Sequence, residues 1–171
     1  MDGERIRAIV HEIGERLEGD WLLLGGALVA LWIESRRTTE DIDVMGFAGC
    51  EDPRLALLQL ADDLGLPIET LNSAADFFVQ RIDGWESEIE LLHRGSAGRI
   101  FRPSATLFLL LKLTRLSAQD LSDCLLLIEK AESEDLPLDR NRVLAALDGL
   151  EESEDAELAA RRAQLRARLT S

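Results

Sequence analysis

The order of apolar and polar residues predicts an α+β fold in which a mixed helix-and-strand half, residues 1–102, precedes a helical half, residues 103–171. Two observations carry this expectation. Before Pro103, short apolar or alternating runs are separated by Gly- and Asp-containing turns and interleaved with amphipathic segments. After Pro103 the strand patterns stop, and Ala105 to Leu116 is apolar on nearly every face except at Lys112 and Arg115, as in a buried helix. A chain of 171 residues fills one core, so the helical part is expected to pack on the first half as a single compact unit.

Each element has its own local justification. Ile6, Ile9, Val10, Ile13 and Leu17 recur at helical spacing, giving an amphipathic helix that ends near Gly19. Trp21 to Leu24 reads as a buried strand that stops at Gly25-Gly26, and Ala27 to Glu34 supplies good helix formers after that turn. Asp41 to Met45 alternates and reads as a second strand; Pro53 to Leu64 reads as a helix. Phe77 to Ile82 and Glu86 to Leu92 look like two strands joined by a turn at Asp83-Gly84, with Ile100-Phe101 as a short edge piece. Ser117 to Lys130, Asp139 to Leu147 and Glu154 to Leu169 are the helices expected after Ala105 to Leu116.

Composition narrows the function classes. The net charge of -14 argues against a broad nucleic-acid-binding surface, because phosphate backbones are held mainly by Lys and Arg, although a local basic pocket is compatible with it. Cys50 and Cys124 form no Cys-x-x-Cys pair, and His11 and His93 have no metal-ligand spacing, so neither zinc nor a structural disulfide is expected. No basic region followed by an apolar stretch opens the chain and no apolar run is of bilayer length, so a cytoplasmic protein with no membrane partner is expected. Acidic residues crowd Glu129 to Glu157, and Arg161, Arg162, Arg166 and Arg168 follow; a solvated, charge-laced helix is the favoured reading, with an intramolecular or subunit contact as the other.

Two features carry chemistry. A strand ending in Gly-Gly and entering a helix lets the backbone approach a ligand closely and aims free N–H groups at an anion, although a plain tight turn has the same sequence. In an extended strand, residues i and i+2 share a face, so Asp41 and Asp43 stand side by side while Ile42 and Val44 turn to the core. Two such carboxylates repel unless a cation such as Mg2+ lies between them; a solvated strand face is the bland alternative.

Together Gly25-Gly26 and the later Arg37-Thr38-Thr39-Glu40-Asp41-Ile42-Asp43-Val44 resemble the signature of the nucleotidyltransferase superfamily with the polymerase-beta-like fold. The similarity is greatest to the branch of AbiEii-type toxins and related bacterial proteins, and it covers roughly residues 20 to 125. The resemblance implies a mixed sheet flanked by helices, a nucleoside triphosphate (NTP) held at Gly25 and Gly26 with Arg37 and Thr39 nearby, and Mg2+ or Mn2+ on Asp41 and Asp43. It further implies transfer of a nucleoside monophosphate to a tRNA-like or protein acceptor, and a place in a toxin–antitoxin system with a protein partner.

It also implies a third carboxylate on a later strand. Glu86, Glu88 and Glu90 alternate there, and Glu90 is chosen for its setting in Ile89-Glu90-Leu91-Leu92. Lys112, one of only two lysines, interrupts an apolar run where a phosphate or a carboxylate would relieve its burial, and a snorkelling stem would do the same. In the AbiEii-like branch the matching lysine contacts nucleotide phosphates. Asp120 and Asp123 resemble that branch's Lys/Arg-Asp-x-x-Asp segment, with Gln119 in place of the basic residue. Ser117 to Asp120 also has capping-box spacing, the preferred reading for Asp120. Ala27 stands where many relatives carry Ser or Thr. These departures leave a second expectation, a catalytically silent nucleotidyltransferase-like module that binds a partner.

Overall fold

The computed structural model describes residues 1–34, 36–73 and 76–171, which divide into two compact units, Met1–Pro103 and Ser104–Ser171. The fold is α+β, with a five-stranded mixed sheet in the first unit and helices in both.

In the first unit, α1 (Gly3–Arg16) starts at Asp2, whose carboxylate accepts the Arg5 amide at 3.0 Å, and it buries Ile6, Ile9, Val10 and Ile13 against the sheet. β1 (Gly19–Leu23) carries Trp21, Leu22 and Leu23, all almost fully buried. The chain turns through Gly25 into α2 (Gly25–Leu28), and the next turn, Val29–Ile33, is a π-helix. β2 (Ile42–Ala48) runs antiparallel to β1. α3 (Pro53–Asp63) has Pro at its start and Asp52 as cap, and it leads to β3 (Leu71–Asn72), parallel to β2. The short α4 (Asp76–Val79) follows, then β4 (Ile89–Arg94) and β5 (Gly98–Pro103), an antiparallel pair. The strand order is β3-β2-β1-β5-β4, with β5 parallel to β1.

Three local expectations are corrected here. Residues 77–82 do not form a strand: Phe77 and Phe78 are both exposed and only Val79 is buried, so the segment lacks the alternation that a sheet face requires. Trp85–Glu88 is a 3-10 turn around the buried Trp85, so of the three glutamates only Glu90 lies on a strand. Ile100-Phe101 belongs to an interior strand rather than an edge. Gly98 makes this possible, since a Cβ there would come within 2.3 Å of the Leu17 carbonyl oxygen.

The second unit holds α5 (Ala105–Lys112), α6 (Ala118–Ser133), α7 (Arg140–Asp148) and α8 (Ala156–Thr170). The reciprocal capping box of Ser117 and Asp120 starts α6. Leu116, just before it, is fully buried with φ at +33°, and its carbonyl accepts the Arg161 Nε at 2.7 Å. The arginines of α8 are engaged within this unit: Arg168 with Glu132 of α6, Arg166 with Asp148 of α7, and Arg162 with the Glu151 carbonyl. The charge asymmetry is therefore an intramolecular contact on a face that stays partly in solvent. Among the described residues no helix is long and apolar enough to cross a membrane.

Candidate functional site

The end of β1 and the start of β2 are locked together where the Leu24 amide donates to the Asp43 carbonyl at 2.9 Å. The next residue, Gly25, has φ at +63°, and a Cβ on it would lie 2.2 Å from Asp43 Oδ2. Glycine is thus required by the backbone conformation, and the Asp43 carboxylate lies in the space a side chain would take. Gly26 is crowded in the same manner by Thr39, whose Oγ1 would stand 2.8 Å from an added Cβ. That hydroxyl donates to Asp41 Oδ1 at 3.0 Å, and the Thr39 amide donates to the Met1 carbonyl at 3.2 Å. Gly25, Gly26, Thr39, Asp41 and Asp43 therefore form one continuous corner.

Within this corner Asp41 is exposed and Asp43 half-buried. Ala27 is fully buried, so its methyl belongs to the core and offers the corner no hydroxyl. Arg37 is half-buried, and its Nε is buried without a hydrogen-bond partner. Two further residues border Asp43 that nothing in the local sequence marks. Asn72 of β3 is its register partner, brought there by the parallel pairing. Asp76 of α4 has a carboxyl raised by burial, lowered in part by Arg54, and raised again by the Asp43 charge; its Oδ1 is buried with no partner. The signal for both lies in the crossover that returns α3 to β3, which only the fold supplies.

The sheet does not bring Glu90 to Asp41 and Asp43. β1 and β5 lie between β2 and β4, three strand spacings or about 14 Å. The register also separates the faces. Met45, Leu22, Phe101 and Leu91 are successive partners, and they share a face with Asp43; Phe47, on that same face, meets the Phe101 ring at 5.7 Å. Glu90, one residue from Leu91, faces the other side. There it pairs with Arg102 at 2.6 Å, whose guanidinium lies 4.0 Å from the Trp32 ring centroid. A strand's faces alternate residue by residue, so the choice of Glu90 depended on a register the sequence does not reveal.

Lys112, Asp120 and Asp123 form a separate cluster inside the second unit. Lys112 Nζ lies 2.7 Å from Asp120 Oδ1 and 3.6 Å from Asp123 Oδ2. Asp120 also accepts Arg115 Nε at 2.8 Å and the Ser117 amide and hydroxyl at 3.0 and 2.8 Å, while Gln119 donates to Asp123 at 2.9 Å. Of the three ways to relieve the lysine's burial, a carboxylate is the one used. Burial pushes the Asp120 carboxyl up, but the bonds from Arg115 and Lys112 and the Lys112 charge outweigh it, holding the group well below the usual carboxylate range. The same surroundings bury the Cys124 thiol and push it up to about 12.

Chemically, the corner on β1 and β2 offers oxygen ligands beside backbone that stands close enough to touch them, the donor set a hard divalent cation takes. Comparison with known proteins found no matching family model, no similar curated protein and no similar solved structure.

Proposed function

We propose that the chain is a Mg2+- or Mn2+-dependent nucleotidyltransferase that moves a nucleoside monophosphate from an NTP to an RNA, tRNA-like, or protein acceptor, as one member of a toxin–antitoxin pair. The observation that carries this reading is the interlock of Gly25 with Asp43 and of Gly26 with Thr39 and Asp41. A diglycine that serves only to turn the chain does not need carboxylate and hydroxyl oxygens against both of its Cα atoms. Asp41 and Asp43 would hold the metal, with Asp76 close enough to Asp43 to share its field. When bound, the metal would neutralise charge on the α-phosphate as the acceptor oxygen bonds to phosphorus and pyrophosphate departs. The glycine backbone would cradle the phosphates, and the unpaired Arg37 Nε is a donor available to them.

A second reading has its own support. Glu90 lies on the opposite sheet face, Lys112 is already neutralised and Ala27 carries no hydroxyl, a pattern that suits a catalytically silent module binding a partner. One experiment separates the two. Each α-labelled NTP with Mg2+ is offered to bulk tRNA and to protein, using wild type and Asp41→Ala. Transfer by wild type and its loss in the variant is the expected result, with unfolding stability within about 0.5 kcal/mol because Asp41 is exposed. Wild type that binds no nucleotide in a metal-dependent way would overturn the enzyme reading. Asp41→Ala that stays functional in cells would favour the silent module.

A further inference from the structure

The chain contains only two histidines, His11 and His93, and the fold brings them together from 82 positions apart: His11 Nδ1 lies 3.3 Å from His93 Nε2. Glu15 completes the group, with one donor atom from each of the three side chains within 4.8 Å of the others. Among the described residues this is the only set of three His, Cys, Asp or Glu side chains that meets that spacing. We propose that His11, Glu15 and His93 form a binding site for a divalent transition metal of the Zn2+ class, separate from the Asp41 and Asp43 corner.

Local structure explains how each donor arrives. His11 and Glu15 are four residues apart on α1, so they project from one helical face a turn apart. His93 comes from β4, where the pairing with β5 shifts register between Leu91 and His93; such a bulge re-aims the side chain that follows it. Gly14 lets the imidazole settle on the helix, since a Cβ there would be 2.8 Å from His93 Cδ2. Behind the carboxylate, the Ser96 hydroxyl donates to Glu15 Oε2 at 2.7 Å and the Ser96 amide to Oε1 at 3.3 Å. That is the outer support a metal-binding carboxylate normally has. The Ser96 hydroxyl bond lowers the Glu15 carboxyl.

The 3.3 Å nitrogen spacing, which an imidazole hydrogen bond also spans, fits two donors to one metal. Zn–N bonds of about 2.0–2.1 Å at the tetrahedral angle put two ligating nitrogens about 3.3 Å apart. The observed separation has that value. Two imidazoles and one carboxylate suit Zn2+, Co2+ or Ni2+ better than Mg2+, which takes oxygen. Three protein donors leave a fourth position for water or a ligand, and an open groove of about 640 Å³ borders both histidines, lined also by Glu4, Arg7, Leu31 and Leu92.

The test uses tag-free full-length protein, stripped with chelator and titrated with Co2+ and Zn2+. One equivalent should bind, with visible Co2+ absorption of a low-coordinate site that excess Mg2+ leaves unchanged, and Zn2+ should raise the unfolding temperature by joining α1 to β4. His93→Ala and His11→Ala should each weaken binding by about 100-fold or more, and Ser96→Ala by about 10-fold. His11 is exposed, so its variant should keep the fold, and circular dichroism checks this. Failure of wild type to bind saturably at about 100 µM metal, or binding that survives in both histidine variants, would overturn the proposal.

Discussion

Two clusters of carboxylates in this chain have the same raw material and opposite arrangements. In the second unit, Asp120 is almost fully buried and takes bonds from Lys112, Arg115 and both polar groups of Ser117. In the first, Asp41 is exposed and accepts the Thr39 hydroxyl, while Asp43 lies against glycine backbone with the Asp76 carboxyl in its field. The first arrangement uses up its acceptors on the chain's own cations and so reads as architecture. The second sets carboxylates against glycine backbone at a surface corner, with the Arg54 charge acting on Asp76. Sequence spacing had treated both as candidates; the difference lies in what the fold sets beside each acid.

The largest effect should come from breaking the saturated cluster. Asp120→Ala leaves Lys112 buried beside fewer acceptors and should cost about 3–5 kcal/mol in chemical denaturation, against almost nothing for Asp41→Ala. The pH dependence sharpens the contrast. Because the folded Asp120 carboxyl is held below its ordinary value, its contribution is fully present above the unfolded value of about 3.9 and is lost as pH falls through the depressed one. The gap between wild type and variant should therefore narrow only in acid below about pH 4. An equal gap at all pH values would break the assignment.

Next in size is Gly25→Ala. An added methyl at positive φ and against the Asp43 carboxylate should cost about 2 kcal/mol, and should remove metal-dependent nucleotide binding in the protein that remains folded. A variant as stable as wild type would mean that Asp43 does not press on the turn. A smaller effect belongs to Ser117→Ala, which removes the cap of α6 and should cost about 1 kcal/mol while leaving nucleotidyl transfer untouched. Transfer lost at constant stability would move Asp120 from architecture to chemistry.

Much of the corner was legible before the fold was known, because its information is local. Trp21 to Leu24 ends at Gly25 in a single step, whereas the strand after Asp41 begins only at Ile42 and buries both Val44 and Met45, so the alternation is broken there. The capping box at Ser117 was legible for the same reason. Other features depend on distant pairing. β3 is two residues long and has no pattern of its own, so Asn72 could be placed beside Asp43 only through the β2–α3–β3 crossover. Phe77-Phe78 has strand-forming side chains, yet with both rings exposed tertiary context prevails over propensity. Glu90 lies one residue away from the face that Asp43 shares, and His11 and His93 meet across a helix and a strand, which spacing along a chain does not reveal.

The position of β1 has a consequence for how a guest would be received. It is hydrogen-bonded to β2 on one side and β5 on the other, and its side chains from Trp21 to Leu23 are shut away from water. Amide protons in such a strand exchange with solvent only through the largest openings of the unit. The diglycine turn begins where that protected strand stops, and the Leu24 amide ties its first step to Asp43. The glycines, which in an unfolded chain wander more freely than any other residue, are here anchored to the buried central strand of the sheet. A phosphate arriving at the corner would find little residual motion left to quench, and its residence time would be set by the contacts it makes.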